Sequence, residues 1–164
     1  MGIISPKKDF VRSKLFVFLF LTIFLPIALL YLIFYLLWGV FLYIAIWLTW
    51  KSQSVLFVYS DSPIWKDYME NEIIPTIQNQ AVILNWSERK TWKTSLPVAA
   101  FHYFGTDRNF NPIAMVFRPF HFVKTYRFFE AFKDFKHGNP RKVEELKNAL
   151  FNDLEIKSRS SKPG

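Results

Sequence analysis

From Leu15 to Trp50 every position is uncharged and nearly every one apolar. From Val55 onward the apolar residues break into short runs separated by polar turns. A helix needs roughly 20 apolar residues to cross the ~30 Å hydrocarbon core of a bilayer. The 36 residues of this stretch exceed one span and fall short of two spans joined by a polar loop. No face of it is polar, which excludes an amphipathic helix lying on a soluble core. A cleaved signal peptide has a much shorter apolar region followed by small residues, and neither feature is present. Two topologies fit. In one, the stretch is a transmembrane helical hairpin that turns at Pro26 or at Trp38-Gly39. In the other, a single helix from Leu15 to about Tyr35 spans, and Val40–Trp50 lies in the far interface.

Beyond the linker Lys51–Ser54 the pattern is that of a folded domain. Val55–Tyr59 is a continuously apolar, β-rich run and predicts a buried strand. Ser60-Asp61-Ser62-Pro63 then reads as a helix start. Ile64, Trp65, Tyr68, Met69 and Ile73 recur at helical spacing, with Pro75 marking the end. Ala81–Leu84 predicts a second strand, ending at Asn85-Trp86. Pro97–Phe104 predicts a short helix stopped by Gly105, and a loop follows over Thr106–Asn111. Ile113–Phe117 predicts a third strand. Arg118-Pro119 turns the chain into a fourth, antiparallel strand over Phe122–Phe128. Glu130–Lys136 fits no single element. Asn139-Pro140 opens a last helix with the stripe Val143, Leu146, Leu150 and Leu154. The polar end, Lys157–Gly164, predicts a disordered tail.

Charge refines this division into a tail (1–14), an anchor (15–50), a domain (51–156) and a second tail (157–164). Lys7, Lys8, Arg12 and Lys14 stand against Asp9 before the anchor, and the other 17 basic and 12 acidic side chains follow it. Both flanks are basic, with Lys51 at the very end of the stretch. Positive flanks prefer the cytoplasm, which favours the hairpin and a cytoplasmic domain. Trp47 and Trp50 fit an interfacial aromatic belt. The dispersed positive surplus suits a membrane surface better than nucleic acid. The chain has no cysteine. That excludes disulfides, thiolate metal sites and thiol nucleophiles.

The element order is strand, helix, strand, helix, strand, strand, helix: an α/β sandwich with a mixed four-stranded sheet and flanking helices. From about Ser54 to Leu154 this resembles the thioredoxin-like fold superfamily. The resemblance rests on that order, on the Ser-Asp-Ser-Pro corner after the first strand, and on Asn111-Pro112 before the third. It implies that Pro112 is the cis-proline that faces the superfamily's active-site corner. Redox members carry Cys-x-x-Cys at that corner. Here it reads Asp61-Ser-Pro-Ile64, so the resemblance implies fold without disulfide exchange.

Candidate chemistry is sparse. Ser60, Asp61 and Ser62 stand at a helix start, where free N–H groups can hold an anion; simple capping explains them equally. Asn111 and Pro112 would lie beside them. Trp86, Glu88 and Arg89 follow the second strand, outside the carboxyl ends where open α/β sheets bind ligands; a second cap at Ser87 is the plainer explanation. These two loops are neighbours only if the strands are parallel. His102, His121 and His137 are too scattered for a metal set. From Phe101 to Phe135, aromatics alternate with Arg and Lys, a pattern shared by phenylalanine-rich cores, membrane-docking surfaces and single-strand nucleic-acid sites. No cofactor motif occurs. The expectation is a redox-inactive module at the membrane that contacts lipid and a protein partner. The rivals are an enzyme or anion site at the corner, and nucleic-acid binding.

Overall fold

The computed structural model describes residues 6–105 and 111–154, with side chains from Lys14 onward, Leu15 excepted. The disordered tail expected at 157–164 and most of the loop expected after Gly105 lie outside the described residues. Two compact units are present, Met1–Phe41 and Leu42–Gly164.

The first unit is helix. Helix α1 runs uninterrupted over Pro6–Thr49, with Pro26 inside it, so part of the expected basic tail is helical too. The hairpin is not formed: the backbone turns at neither Pro26 nor Trp38-Gly39. The physical reason is that an apolar stretch offers its backbone groups no partners other than the helix's own carbonyls and amides. Proline forfeits one of these bonds; a turn forfeits several. From Phe16 to Thr49 the helix is apolar and long enough to cross a membrane. Its 34 residues are about 51 Å long at 1.5 Å each.

The second unit begins with the last two turns of α1 and contains a four-stranded sheet of order β2-β1-β3-β4. Strands β1 (Val55–Tyr59) and β2 (Ala81–Asn85) are parallel. Strand β3 (Ile113–Val116) is antiparallel to β1 and to β4 (Lys124–Arg127). β1 is buried at all five positions, which explains its unbroken apolar run. Its odd positions, Val55, Phe57 and Tyr59, pack with Trp65, Met69, Phe132 and Leu150 on one face. Its even positions, Leu56 and Val58, pack with Ile46, Phe101, Met115 and Phe117 on the other.

The first face is covered by α2 (Lys66–Tyr68), α3 (Ile74–Ile77), α5 (Phe129–Lys136) and α6 (Arg141–Asp153). A π-turn over Met69–Ile73 joins α2 to α3 and explains why Pro75 does not end the helix. The N–H of Ile74 reaches back to Met69 O, and Pro75 then sits in a first turn where no N–H is needed. Ile64, expected on the apolar stripe, is 39% exposed. The second face is covered by the end of α1 and by α4 (Leu96–Ala100), which continues as a π-turn to Gly105. Glu130–Lys136, which fitted no single element, is helical as part of α5. The fourth strand is shorter than expected, because Phe122 lies outside it and is fully exposed.

Candidate functional site

The parallel pairing of β1 with β2 puts Asn85 beside Tyr59, so the loops after both strands are neighbours. Strand β3 enters antiparallel, with Ile113 opposite Val58, which brings Asn111-Pro112 to the same end of the sheet. The Asn111-Pro112 peptide bond is cis, and the Pro112 carbonyl accepts from Phe128 N at 2.9 Å. All eight candidate residues therefore belong to one end of the sheet or to the loops leaving it.

The two loops are tied together by polar bonds. The Asp61 N–H donates to Ser87 Oγ at 2.9 Å. Asn85 Nδ2 donates to both Asp61 carboxylate oxygens at 3.2 Å. The Ser87 N–H donates to Asn85 Oδ1 at 2.9 Å. Lys66 Nζ lies 2.9 Å from Asp61 Oδ1. Asn85, not Ser87, is thus the cap of the 3-10 turn Trp86–Thr91, and Ser87 is the bridge back to β1. Ser62 Oγ accepts a long bond, 3.4 Å, from Ile64 N. Ser60 Oγ accepts from Trp65 Nε1 at 3.2 Å and seats that indole in the core.

The remaining candidates separate from this cluster. Trp86 packs edge-on against Trp92 and Phe101, joining the second core. Arg89 folds back over it, its guanidinium carbon 4.9 Å from the ring centroid. Glu88 stands exposed in the 3-10 turn. Asn111 Oδ1 is buried with no hydrogen-bond partner among the described residues.

The electrostatics fit a brace rather than a catalytic pair. Lys66 first, and Asn85 after it, hold the Asp61 carboxyl below its ordinary pKa, so it is ionised and committed at neutral pH. Lys66 is raised in turn by Asp61. Next to the cluster, burial and then a hydrogen bond to Glu70 push the Tyr59 hydroxyl up to about 12. Four N–H groups of the corner have partners as well: those of Trp65 and Lys66 donate to Ser62 O, and those of Asp61 and Ile64 have the partners named above.

Sequence reasoning places Asn85 at the end of the second strand without a role of its own and misses Lys66; both bind the Asp61 carboxylate. It also missed a groove at the opposite end of the sheet, between the end of α1 and the β3–β4 connection. That cavity is about 240 Å³ and is lined among others by Tyr43, Trp47, Trp50, Lys51, Phe117 and Arg118. Beside it Phe120 and Phe122 are 92% and 101% exposed. The available signal was Arg-Pro-Phe-His-Phe following a complete strand, where apolar positions no longer have a sheet to bury them.

Comparison of the chain with protein-family models, curated proteins and solved structures finds no match.

Proposed function

We propose that this chain is a membrane-anchored, thioredoxin-like module with no catalytic role, which offers the loops around Asp61 and Ser87 to a protein partner in a membrane assembly. The observation that carries the reading is the Asp61–Lys66–Asn85–Ser87 network. It stands where thioredoxin-like redox proteins keep their thiols; Asp61 bonds across the loops to Asn85 and Ser87, while Lys66 pairs with Asp61 and Asn85 caps the turn that carries Ser87. The mixed sheet of order β2-β1-β3-β4 supports the thioredoxin-like assignment. The exposed apolar helix supports the anchor.

Catalysis or anion binding at the corner is less well supported, because the Asp61 carboxylate and the N–H groups of Asp61, Ile64, Trp65 and Lys66 are already engaged. Nucleic-acid binding fares no better. Lys133, Arg141, Lys142 and Lys147 are each paired with a carboxylate on the helical face, which leaves little continuous positive surface there.

With one span, the two flanks lie on opposite sides. Four cations precede the span within 14 residues, against Lys51 and Lys66 in the 20 residues after Trp50. The tail is the stronger cytoplasmic signal, and the domain falls on the other side. This revises the cytoplasmic placement that the hairpin implied.

The test is site-specific photocrosslinking in cells. A photoreactive residue at Ser62 or Glu88 is expected to give a discrete protein adduct, and one at Asn148, on the exposed side of α6, none. Adducts of equal yield from both regions, or from neither, would refute partner binding at the corner.

A further inference from the structure

At the end of the sheet away from the Asp61 network, three observations meet. The first is the β3–β4 connection. Phe120 has φ +62, a backbone conformation uncommon for a bulky residue, and both it and Phe122 are presented to solvent. The second is its attachment to the last turns of α1. The Tyr43 hydroxyl donates to Arg118 O and accepts from His121 N, and the Trp47 ring lies 6.0 Å from that of Phe120. Tyr43 precedes Trp50 by seven residues, so the loop reaches back about 10 Å along the helix. By sequence, that is the level of the apolar stretch itself. The third is charge. Lys51, Arg118 and Lys124 surround the loop, and the single carboxylate of Asp153 serves both Arg118 and Lys124. Phenylalanines at a loop tip, tryptophans behind them and cations flanking both are the arrangement of an interfacial membrane contact.

We infer that the Pro119–Phe122 loop is a second membrane contact, with Phe120 and Phe122 entering the acyl boundary and the Tyr43–Arg118 groove taking the phosphate of an anionic phospholipid headgroup through Lys51 and Arg118. The inference rests on the membrane-anchor reading and extends it. The groove's volume, about 240 Å³, lies below the roughly 300–1,000 Å³ of pockets for drug-sized ligands. It suits a headgroup and not a whole lipid. Trp47, Trp50 and Phe117 line the groove with aromatic rings of the kind that sit at the headgroup level of a bilayer. The consequence is orientation. β1 is five residues long, about 17 Å. A domain held by its α1 end presents the Asp61 network at the far side, toward water and toward a partner.

The natural absence of cysteine makes the test direct. Single-cysteine variants Phe34→Cys, Phe122→Cys and Asn148→Cys of the full chain are labelled with an environment-sensitive fluorophore. They are then reconstituted in vesicles of phosphatidylcholine, with or without phosphatidylglycerol, carrying a deep doxyl quencher to report on position 34 or a shallow one to report on position 122. The label at position 122 is expected to shift to the blue and to be quenched, more strongly with phosphatidylglycerol, while the label at 148 behaves as in water. Lys51→Gln or Arg118→Gln should each lower the equilibrium constant for the loop's contact with phosphatidylglycerol vesicles, read from quenching at position 122, by about fivefold. Quenching at 34 but not at 122 would overturn the loop contact and leave the anchor standing. No quenching at either would remove the anchor and the inference together. A response at 122 that follows protein concentration instead of lipid would assign the phenylalanines to a second copy of the chain. Quenching at 122 that is indifferent to phosphatidylglycerol, or abolished by inorganic phosphate alone, would overturn the headgroup assignment.

Discussion

Asp153 joins the last helix to the strand pair that frames the exposed loop, and replacing it by asparagine tests that connection. Its Oδ2 accepts from the Tyr126 hydroxyl at 2.5 Å and lies 3.0 Å from Lys124 Nζ, and Arg118 approaches Oδ1 at 3.6 Å. The carboxylate is only 17% exposed, whereas Lys124 and Arg118 are 60% and 41% exposed. A hydrogen bond to a charged partner contributes about 1.5–3 kcal/mol, and a neutral one about 0.5–1.5. Asparagine preserves shape and an acceptor for Tyr126, so that bond weakens by about 1 kcal/mol. The two ion pairs, screened by solvent, add about 0–1 kcal/mol each. The expected cost of Asp153→Asn is therefore about 2 kcal/mol at pH 7. It is measured by urea unfolding of the full chain in detergent, followed by near-ultraviolet circular dichroism. The pH dependence has a definite sign. Burial raises the Asp153 pKa, but the bonds from Tyr126 and Lys124 and the charge of Arg118 outweigh it and leave the group below its ordinary value. A depressed acid contributes stability above its unfolded pKa and loses it as pH falls through the folded one. The gap between wild type and variant should thus narrow as pH drops below about 3.9. A gap under about 0.5 kcal/mol at pH 7, or one that stays constant into acid, would refute the reasoning.

Two further outcomes are expected. Tyr59 is an acid raised to about 12 by burial and by Glu70, so its contribution is intact below its ordinary pKa, about 10, and is lost as pH rises toward 12. Tyr59→Phe should flatten the alkaline fall in stability over that window, and an unchanged alkaline limb in unfolding curves would contradict the assignment. Asn85→Ala removes the cap of the 3-10 turn and the link to Asp61, and should cost about 1 kcal/mol. Hydrogen exchange should speed up at the Ser87 amide, which the cap holds, and at the Asp61 amide across the loops, while β3 stays protected; unchanged exchange at Ser87 would contradict the cap, and unchanged exchange at Asp61 the link between the loops.

Where the sequence was legible, one physical condition per residue decided the outcome. β1 is buried on both faces, so its apolar run needed no partner to be recognised. The candidate corner was legible because strand ends with Ser, Asp, Asn and Pro have few alternatives to turns, and parallel pairing then made neighbours of them. The continuous helix was not legible, because a stretch with no polar face has no periodicity from which to read a turn or its absence. Asp61 read as a cap, yet its partners lie five residues ahead and on another strand, and no local pattern encodes either. Phe122 read as the start of the fourth strand, and Phe120 and Phe122 as part of an aromatic set open to core or membrane, because an apolar residue signals burial without saying whether protein or lipid supplies it. Pro75 read as a stop because the π-turn that accommodates it depends on tertiary packing of Met69 and Ile73.

The account turns on α1 crossing the membrane once. Single cysteines placed at Ser5 and at Asn148, tested with a membrane-impermeant thiol reagent in intact and then permeabilised cells, examine this most directly. The account predicts opposite behaviour: position 148 labels in intact cells and position 5 only after permeabilisation. Labelling of both positions under the same condition would contradict it, since the two flanks would then share one side and the helix would not cross.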